Sequence, residues 1–536
     1  MSETLLPGLL IVVPLLGSTL SLGLGLLRDR IGWWVAAGVL TVEAALASWL
    51  AYAIYVGGDR IVHVLGGDTF GRKAVTVDGE TTEFIVGIEL VGDALAGVVV
   101  LLVAAVSLAV LAYSRRAGPR GAAFYTVYLI MTGGLMGVVL TGDLFNLFVF
   151  LEIVGLATYA LVSTGRGAES AVAALKYLVV GTTGASMYLI GVGYVFLETG
   201  ALNMVDVSRS LSGDPPWFDG ALYTEPLVVA GFGFVAVGLA TKSAIFPLHT
   251  WQPDAYAEAP DAVTVYISAL ASTSAAYAFA RITWTVFTPA FFEVNTRVLQ
   301  AVMILAGGSV ILGSLLAVMQ RRVKRLFAYS SVAQFGLIFL GICTAVHPAA
   351  GESAVRFAVY GTVVHLLGHA VIKGGLFASV GTLAAGEGAR RIREYAGLAA
   401  RRPFAAGALA VLGLSLVGVP PSIGFVGKWY IGVGAVGADL WPVVAVIFGS
   451  TVLSLLYMAR LLEKLYVSPA VEVTAEPTPR DAVVADGGRR VSYGMAAIGV
   501  AAAVVAVGLG FAGAELASLL DPIVEAVLES SPEVGG

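Results

Sequence analysis

Residues Ala240–Val265 read ATKSAIFPLHTWQPDAYAEAPDAVTV. The stretch opens inside an apolar run and carries a lysine, Lys242, at mid-run. Five residues on, Pro247 removes a backbone donor and breaks the helix. A polar, acid-rich segment follows, with His249, Asp254, Glu258 and Asp261, and then the apolar pattern resumes. A charged lysine at membrane depth costs roughly 3 kcal/mol on insertion scales. Irregular backbone at that depth is tolerated only where it is buried in protein or lines a cavity. The stretch therefore reads as a broken transmembrane helix built around a charge.

The surrounding chain fits that reading. Of 536 residues, 58% are hydrophobic and 12% charged, and mean hydropathy is +0.88; a soluble domain carries about 25% charged residues. The fold class is an all-α polytopic membrane protein with the lipid bilayer as its solvent. A net charge of −5 offers no basic face to nucleic acid. The single cysteine, Cys343, sits in an apolar run and reads as a small core residue; it excludes an intrachain disulfide and any multi-cysteine metal or iron–sulfur site. No cofactor is expected. The run 5–27 is too long for a signal-peptide core and has no basic residues before it, so it reads as a retained helix.

Fourteen apolar runs have about the 20 residues a bilayer requires. They cover 5–27, 31–56, 92–113, 121–140, 144–163, 170–197, 225–246, 261–287, 297–319, 326–346, 355–384, 404–433, 441–464 and 493–518. Alternation in AVTV and TEFIV places a small β-hairpin outside the membrane within 57–91. The polar stretch 465–492 reads as a mobile cytoplasmic linker, and the acidic tail after 518 continues as a short helix to about Ser530. On this pattern twenty basic residues fall on one side of the membrane and six on the other. The positive-inside rule then puts both termini outside the cytoplasm of a multi-pass plasma-membrane protein.

A second break stands in span twelve, where LVGVPPSIGFVGKWYI carries Pro420, Pro421 and then Lys428. It lies five spans after the first. Paired interruptions indicate structural repeats, here spans 4–8 and 9–13, and an odd period inverts the second against the first. The expected divisions are 1–113 (three N-terminal helices with the hairpin), 121–287 and 297–464 (the repeats), 465–492 (the linker) and 493–536 (the last helix and tail).

Lysine is scarce, seven against 24 arginines, yet Lys176, Lys242, Lys373 and Lys428 all lie in apolar runs. An ammonium titrates where a guanidinium does not, so these four read as proton carriers. Glu152, near the middle of span five, is an intramembrane acid and a natural partner for Lys242. His365, His369 and Lys373 recur at i, i+4 and i+8 in HLLGHAVIK, on one helical face. Such a stripe serves either as polar glue between helices or as a proton relay, since neutral imidazole both accepts and donates; the relay is the reading adopted. No cysteine or carboxylate in that span completes a metal set, so no metal is expected. Lys176 either faces the cavity or extends to the interface. Asp143 and Asn146 open span five, where a cap is the simple reading. Lys324 and Arg325, in RRVKRLFAYSS, read as positive-inside residues. Glu43, in TVEAALASW of span two, lies outside the repeats; it fits a subunit contact, a second ion path or a satisfied acid equally well.

No nucleotide loop, HExxH or trustworthy nucleophile elbow is present. Six stretches, in order, instead resemble one family: TGDLFNLFVFLEIVGLATYALV, ALKYLVVGTTGASMYLIG, ATKSAIFPLHTWQPDAYAEAP, RRVKRLFAYSSVAQFGLIFLG, HLLGHAVIKGGLFASVG and GVPPSIGFVGKW. These are the antiporter-like proton-channel subunits shared by Mrp-type cation/proton antiporters, respiratory complex I and membrane-bound hydrogenases. The likeness runs over about residues 90–500. TGDLFNLFVFLE and TGALNMVD look most like the D subunit of the Mrp Na+/H+ antiporter. The resemblance implies fourteen helices, inverted five-helix repeats and a polar axis at mid-membrane. Carried over by position, Glu152 and Lys242 form the first charged pair, His365, His369 and Lys373 the central link, and Lys428 the terminal lysine. One departure stands out. The family usually has a lysine or histidine in span eight, and here the aligned positions are Thr273 and Ser268. A hydroxyl orients water but holds no proton at neutral pH, so either water bridges Lys242 to His365, the reading adopted, or the axis is interrupted here and the coupling altered.

The expected function is a proton-translocating subunit of a multisubunit Na+/H+ antiporter, partnered by other membrane subunits, protons and Na+. The alternatives are the same fold in a complex I or hydrogenase-type redox pump, and the membrane subunit of an inorganic-carbon uptake pair. The chain is expected to be an ion-transporter subunit and not an enzyme, membership of a redox-driven translocase being the one setting where that question stays open.

Overall fold

The computed structural model describes residues 3–27, 31–58, 60–65, 72–77, 80–85, 87–119, 121–165, 167–213, 221–470 and 492–529. Among these, twelve helices are long and apolar enough to cross a membrane. Glu3–Gly25, Ile31–Gly57, Ala94–Ala117, Ala122–Leu140, Leu144–Ser163 and Ala168–Thr199 are spans one to six. Asp261–Val294, Thr296–Val318, Val323–Ala345 and Glu352–Glu387 are spans eight to eleven, and Trp441–Val467 and Tyr493–Phe511 are thirteen and fourteen. Three shorter apolar helices complete the set. Pro226–Lys242 is the first part of span seven, and Pro403–Val417 and Ile423–Gly437 are the two parts of span twelve. The fourteen-span reading thus holds, with spans seven and twelve each in pieces.

Both breaks satisfy the backbone groups they free. In span seven, Ala244 takes a left-handed conformation, and the N–H groups of Ser243, Ala244 and Ile245 bond back to Leu239, Thr241 and Ala240. The Thr241 carbonyl also accepts the Trp251 indole N–H (3.0 Å), and the Phe246 N–H donates to Ser309 Oγ of span nine (3.1 Å). The chain then re-forms a short helix, Gln252–Glu258. In span twelve, Gly418 ends the first part with φ 94°, a left-handed value that glycine alone adopts without strain. Ser422 caps the second part through the Phe425 N–H.

Helices sort by depth in the bundle. Every residue in the most apolar window of span eight is buried, and nearly all in spans ten and eleven. Only 22% of that window is buried in span fourteen. Large apolar side chains such as Leu156, Val172, Phe448 and Val504 point outward from the peripheral spans, as a lipid-facing surface requires. Span six packs on the first part of span seven, and span eleven on the second part of span twelve.

Outside the helices, Ile61–Leu65 (β1) pairs antiparallel with Ile88–Gly92 (β4), and Arg72–Val77 (β2) pairs with Glu80–Ile85 (β3). The expected hairpin is β2–β3, and the β1–β4 ribbon beside it was not foreseen. Span fourteen ends earlier than expected, at Phe511; Gly513–Leu519 and the tail helix Asp521–Glu529 follow. Most of the linker, 471–491, and the last residues, 530–536, lie outside the described residues.

Candidate functional site

Lys242 is the last residue of the first part of span seven, so its ammonium sits where the helix dipole is negative. Its Nζ donates to Glu152 Oε1 at 2.7 Å and reaches Tyr159 OH at 3.4 Å. Lys242 is 6% exposed, while the Glu152 side chain retains 20%. Gly155 makes room for the pair. A Cβ there would fall 2.9 Å from Lys242 Nζ and 3.0 Å from Tyr159 OH. Tyr159 packs edge-on to Tyr177 (4.6 Å), which stacks on Trp251 (3.7 Å), so one wall of the site is aromatic.

The acid-rich arm after Pro247 takes partners from both halves of the chain. Asp254 bridges two cations, Lys176 of span six and Arg325 of span ten, at 2.7 Å each. Glu258 pairs with Arg322 and Asp261 with Lys324, again at 2.7 Å. Lys324 also donates to the Ala259 carbonyl (2.9 Å). The positive-inside reading of Lys324 and Arg325 concerns their side of the membrane; the structure adds the partners that reading did not supply. Both are held by carboxylates, and Lys324 is buried, because the arm folds back against the start of span ten. Lys176 neither enters the Lys242 pair nor extends freely to the interface; Asp254 takes its ammonium.

In the second half the stripe on span eleven faces span ten. His365 Nε2 lies 2.9 Å from Gln334 Oε1. Lys373 donates to the Phe327 carbonyl (2.8 Å) and to Ser330 Oγ. His369 packs on Phe335 at 4.5 Å, with no hydrogen-bond partner among the described residues at either ring nitrogen. Lys428 donates to the carbonyls of Leu416 (3.0 Å) and Val417 (2.9 Å), the freed acceptors at the end of the first part of span twelve. A Cβ at Gly427 would fall 2.7 Å from His365 Cβ, so this glycine lets spans eleven and twelve close on one another. Lys428 is within electrostatic reach of His365 and Lys373.

Span eight joins the halves. It holds two π-helical turns, Ile267–Ala271 and Ile282–Phe287, a geometry frequent at functional sites. Ser268 sits in the first and returns its hydroxyl to Val265 O (3.2 Å). Thr273 Oγ1 is buried with no hydrogen-bond partner among the described residues. Gln252 of the broken arm reaches Ser272 Oγ and Tyr256 OH, both at 3.1 Å. At the far end Arg281 forks onto both oxygens of Asp93 at 2.8 Å. The Asp143 cap is present, its Oδ1 accepting the Asn146 N–H at 2.6 Å. Cys343 is a buried free thiol.

The sequence reading missed Tyr159, Gln334, Ser330 and Gln252. Three of them carried a signal. Tyr159 lies two turns from Glu152 on one face, and Ser330 and Gln334 are spaced i, i+4 in a buried span.

Residues 141–454 match the family model described as "NADH:quinone oxidoreductase/Mrp antiporter, TM". The chain belongs to this family. Among its relatives, NADH-quinone oxidoreductase subunit N of Desulforudis audaxviator (strain MP104C) is 42% identical over 389 residues, 71% of this chain and 73% of that one. A chain of the membrane-bound sulfane sulfur reductase, an archaeal respiratory membrane complex, superposes with a TM-score of 0.82 at 27% identity, covering 98% of both. A chain of the Mrp complex from Dietzia sp. DQ12-45-1b does so with a TM-score of 0.82 at 26% identity, covering 98% of this chain and 100% of that one. The chain is an antiporter-like membrane subunit. The first expectation, an Mrp Na+/H+ antiporter, is not favoured over the redox-complex alternative, because the relative at 42% identity is an NADH-quinone oxidoreductase subunit.

Proposed function

We propose that this chain carries protons within a multisubunit, redox-driven complex of the plasma membrane. The observation that carries the reading is the pair of buried Lys242 and half-buried Glu152 at a helix break, followed across span eight by His365, His369, Lys373 and Lys428. A proton loads Lys242, whose charge is balanced by Glu152. It crosses the hydroxyl-lined section of span eight through water and enters the span-eleven stripe. Positive charges at His365, Lys373 and Lys428 repel one another, so arrival at one promotes departure from the next. Lys176 belongs to the Asp254 bridge and orients the arm rather than carrying the proton. The expected setting has both termini outside the cytoplasm and other membrane subunits alongside.

Redox drive is supported by the 42% identical NADH-quinone oxidoreductase subunit. A second reading, Na+/H+ exchange, is supported by the whole-chain superposition on an Mrp chain. Inverted vesicles holding the tagged complex separate the two. Acidification on adding an electron donor, lost in Lys242→Ala at unchanged membrane level, supports the redox reading. Collapse of an imposed pH gradient by Na+ without a donor supports exchange. Full translocation by Lys242→Ala in either assay refutes the proton path.

A further inference from the structure

Glu43 has none of the partners that a structural acid keeps. It is 0% exposed, and among the described residues neither carboxyl oxygen has a hydrogen-bond partner. The first fact removes a subunit contact, because no part of the side chain reaches the surface. The second removes an acid satisfied by a described side chain or backbone group. Span two packs on spans one, three and four, and none of these brings a cation to its depth. Residues 4–27, 94–114 and 121–142 contain no lysine, arginine, histidine or acid. Their titratable groups are Tyr113, Tyr125 and Tyr128, and Tyr266 of span eight adds a fourth. Arg115, at the end of span three, is occupied over the rings of Trp33 and Trp34. A carboxyl group so placed holds a proton more readily than a bare charge.

A chain of hydroxyls stands beside it. Tyr266 OH lies 2.8 Å from Thr132 Oγ1 of span four and 3.1 Å from Ser107 Oγ of span three. Tyr128 stacks on Tyr266 at 4.4 Å and donates to the Ser107 carbonyl. The register of spans two and three sets the depth. Trp33 bonds to Leu111 O and Tyr55 to Ala94 O, so Glu43 stands opposite residues 102–104, roughly 6 Å along the axis from Ser107. Glu43 is within electrostatic reach of Tyr266. Tyr266 in turn immediately precedes the π-helical turn Ile267–Ala271. That turn packs on span eleven, where a Cβ at Gly374 would meet Ala269 Cβ at 3.5 Å, beside Lys373.

We infer that Glu43 is a second proton-holding site, exchanging protons through the Tyr266 hydroxyl cluster with the span-eight section of the axis. Each hydroxyl there both donates and accepts, so a proton can pass while the cluster turns over. The site supplies a titratable group to the section where Ser268 and Thr273 supply none. The inference rests on the proton-carrying reading above.

The test uses vesicles containing the whole complex, with Lys242→Ala as reference. Glu43→Gln and Tyr266→Phe should each slow proton translocation roughly tenfold or more at an unchanged amount of assembled complex. Glu43→Asp should recover part of the rate. If Lys242→Ala abolishes translocation while Glu43→Gln or Tyr266→Phe runs at the wild-type rate, this inference alone is overturned. If Lys242→Ala is also silent, the underlying reading fails. Should Glu43→Gln not assemble, the native complex is treated with dicyclohexylcarbodiimide, which couples to proton-bearing carboxyls in apolar surroundings. A mass tag on the peptide containing Glu43 supports the site, and an untagged peptide overturns it.

Discussion

At the scale of single residues, the Lys242–Glu152 pair shows how a charge is kept inside an apolar bundle. Breaking a buried pair from one side costs about 3–5 kcal/mol, because the remaining charge loses its only compensation. Glu152→Gln should fall at the lower end of that range, since the Glu152 side chain keeps 20% exposure. Adding Lys242→Met should recover stability rather than lose more, and thermal unfolding of the solubilised complex reads both. If the double variant is less stable than Glu152→Gln, the pair is not the dominant interaction of either residue. Gly155→Ala probes geometry without removing charge. Its new Cβ would press on Lys242 Nζ and Tyr159 OH, and the flexible lysine tip can retreat. The chain should reach the membrane at normal levels while translocation falls several-fold; a wild-type rate would show that the 2.7 Å contact does not matter to transport.

At the scale of elements, the broken arm Gln252–Glu258 and the start of span ten form a unit. Asp254 holds Lys176 from the first half and Arg325 from the second, so motion of the arm is felt on both sides. Asp254→Asn and Arg325→Met, alone and together, form a double-mutant cycle. The coupling expected is about 0.5–1 kcal/mol, the low end for contacting residues, because both side chains are about 30% exposed and water screens them. Additive effects in thermal unfolding would mean that the bridge does not join the halves. The same elements show what could be read beforehand. The helix breaks were visible because proline and lysine in an apolar run are each costly, and the span-eleven stripe because its period is that of a helix. The partners of Lys176, Lys324 and Arg325 were not visible. They depend on how the arm folds back across about 70 residues of chain, and positive-inside statistics describe a residue's side, not its contacts. The π-helical turns of span eight were equally hidden, since no local residue pattern distinguishes them from ordinary helix.

At the scale of the whole molecule, the helix breaks alone do not say which way each repeat crosses the membrane; the loops do. Basic residues gather in the odd-to-even connections, such as Arg115, Arg321, Arg390 and Arg401, which the positive-inside rule assigns to the cytoplasm. The loop between spans five and six and the loop between spans ten and eleven occupy equivalent places in the two repeats. Five crossings separate them, so inversion puts them on opposite faces. Ser163, the last residue of span five, and Ala349, in the second of these loops, are exposed, and the native thiol, Cys343, is buried and will not compete for label. A membrane-impermeant maleimide applied to right-side-out vesicles should label Ala349→Cys and spare Ser163→Cys, and inverted vesicles should give the reverse. Labelling of both from one face would exclude inverted repeats. Opposite faces with the pattern exchanged would keep the inversion and turn the molecule over, placing both termini in the cytoplasm. The direction in which Lys242, the span-eleven stripe and Lys428 could pass a proton is referred to this orientation, so the labelling result also fixes the sign of the transport measurements.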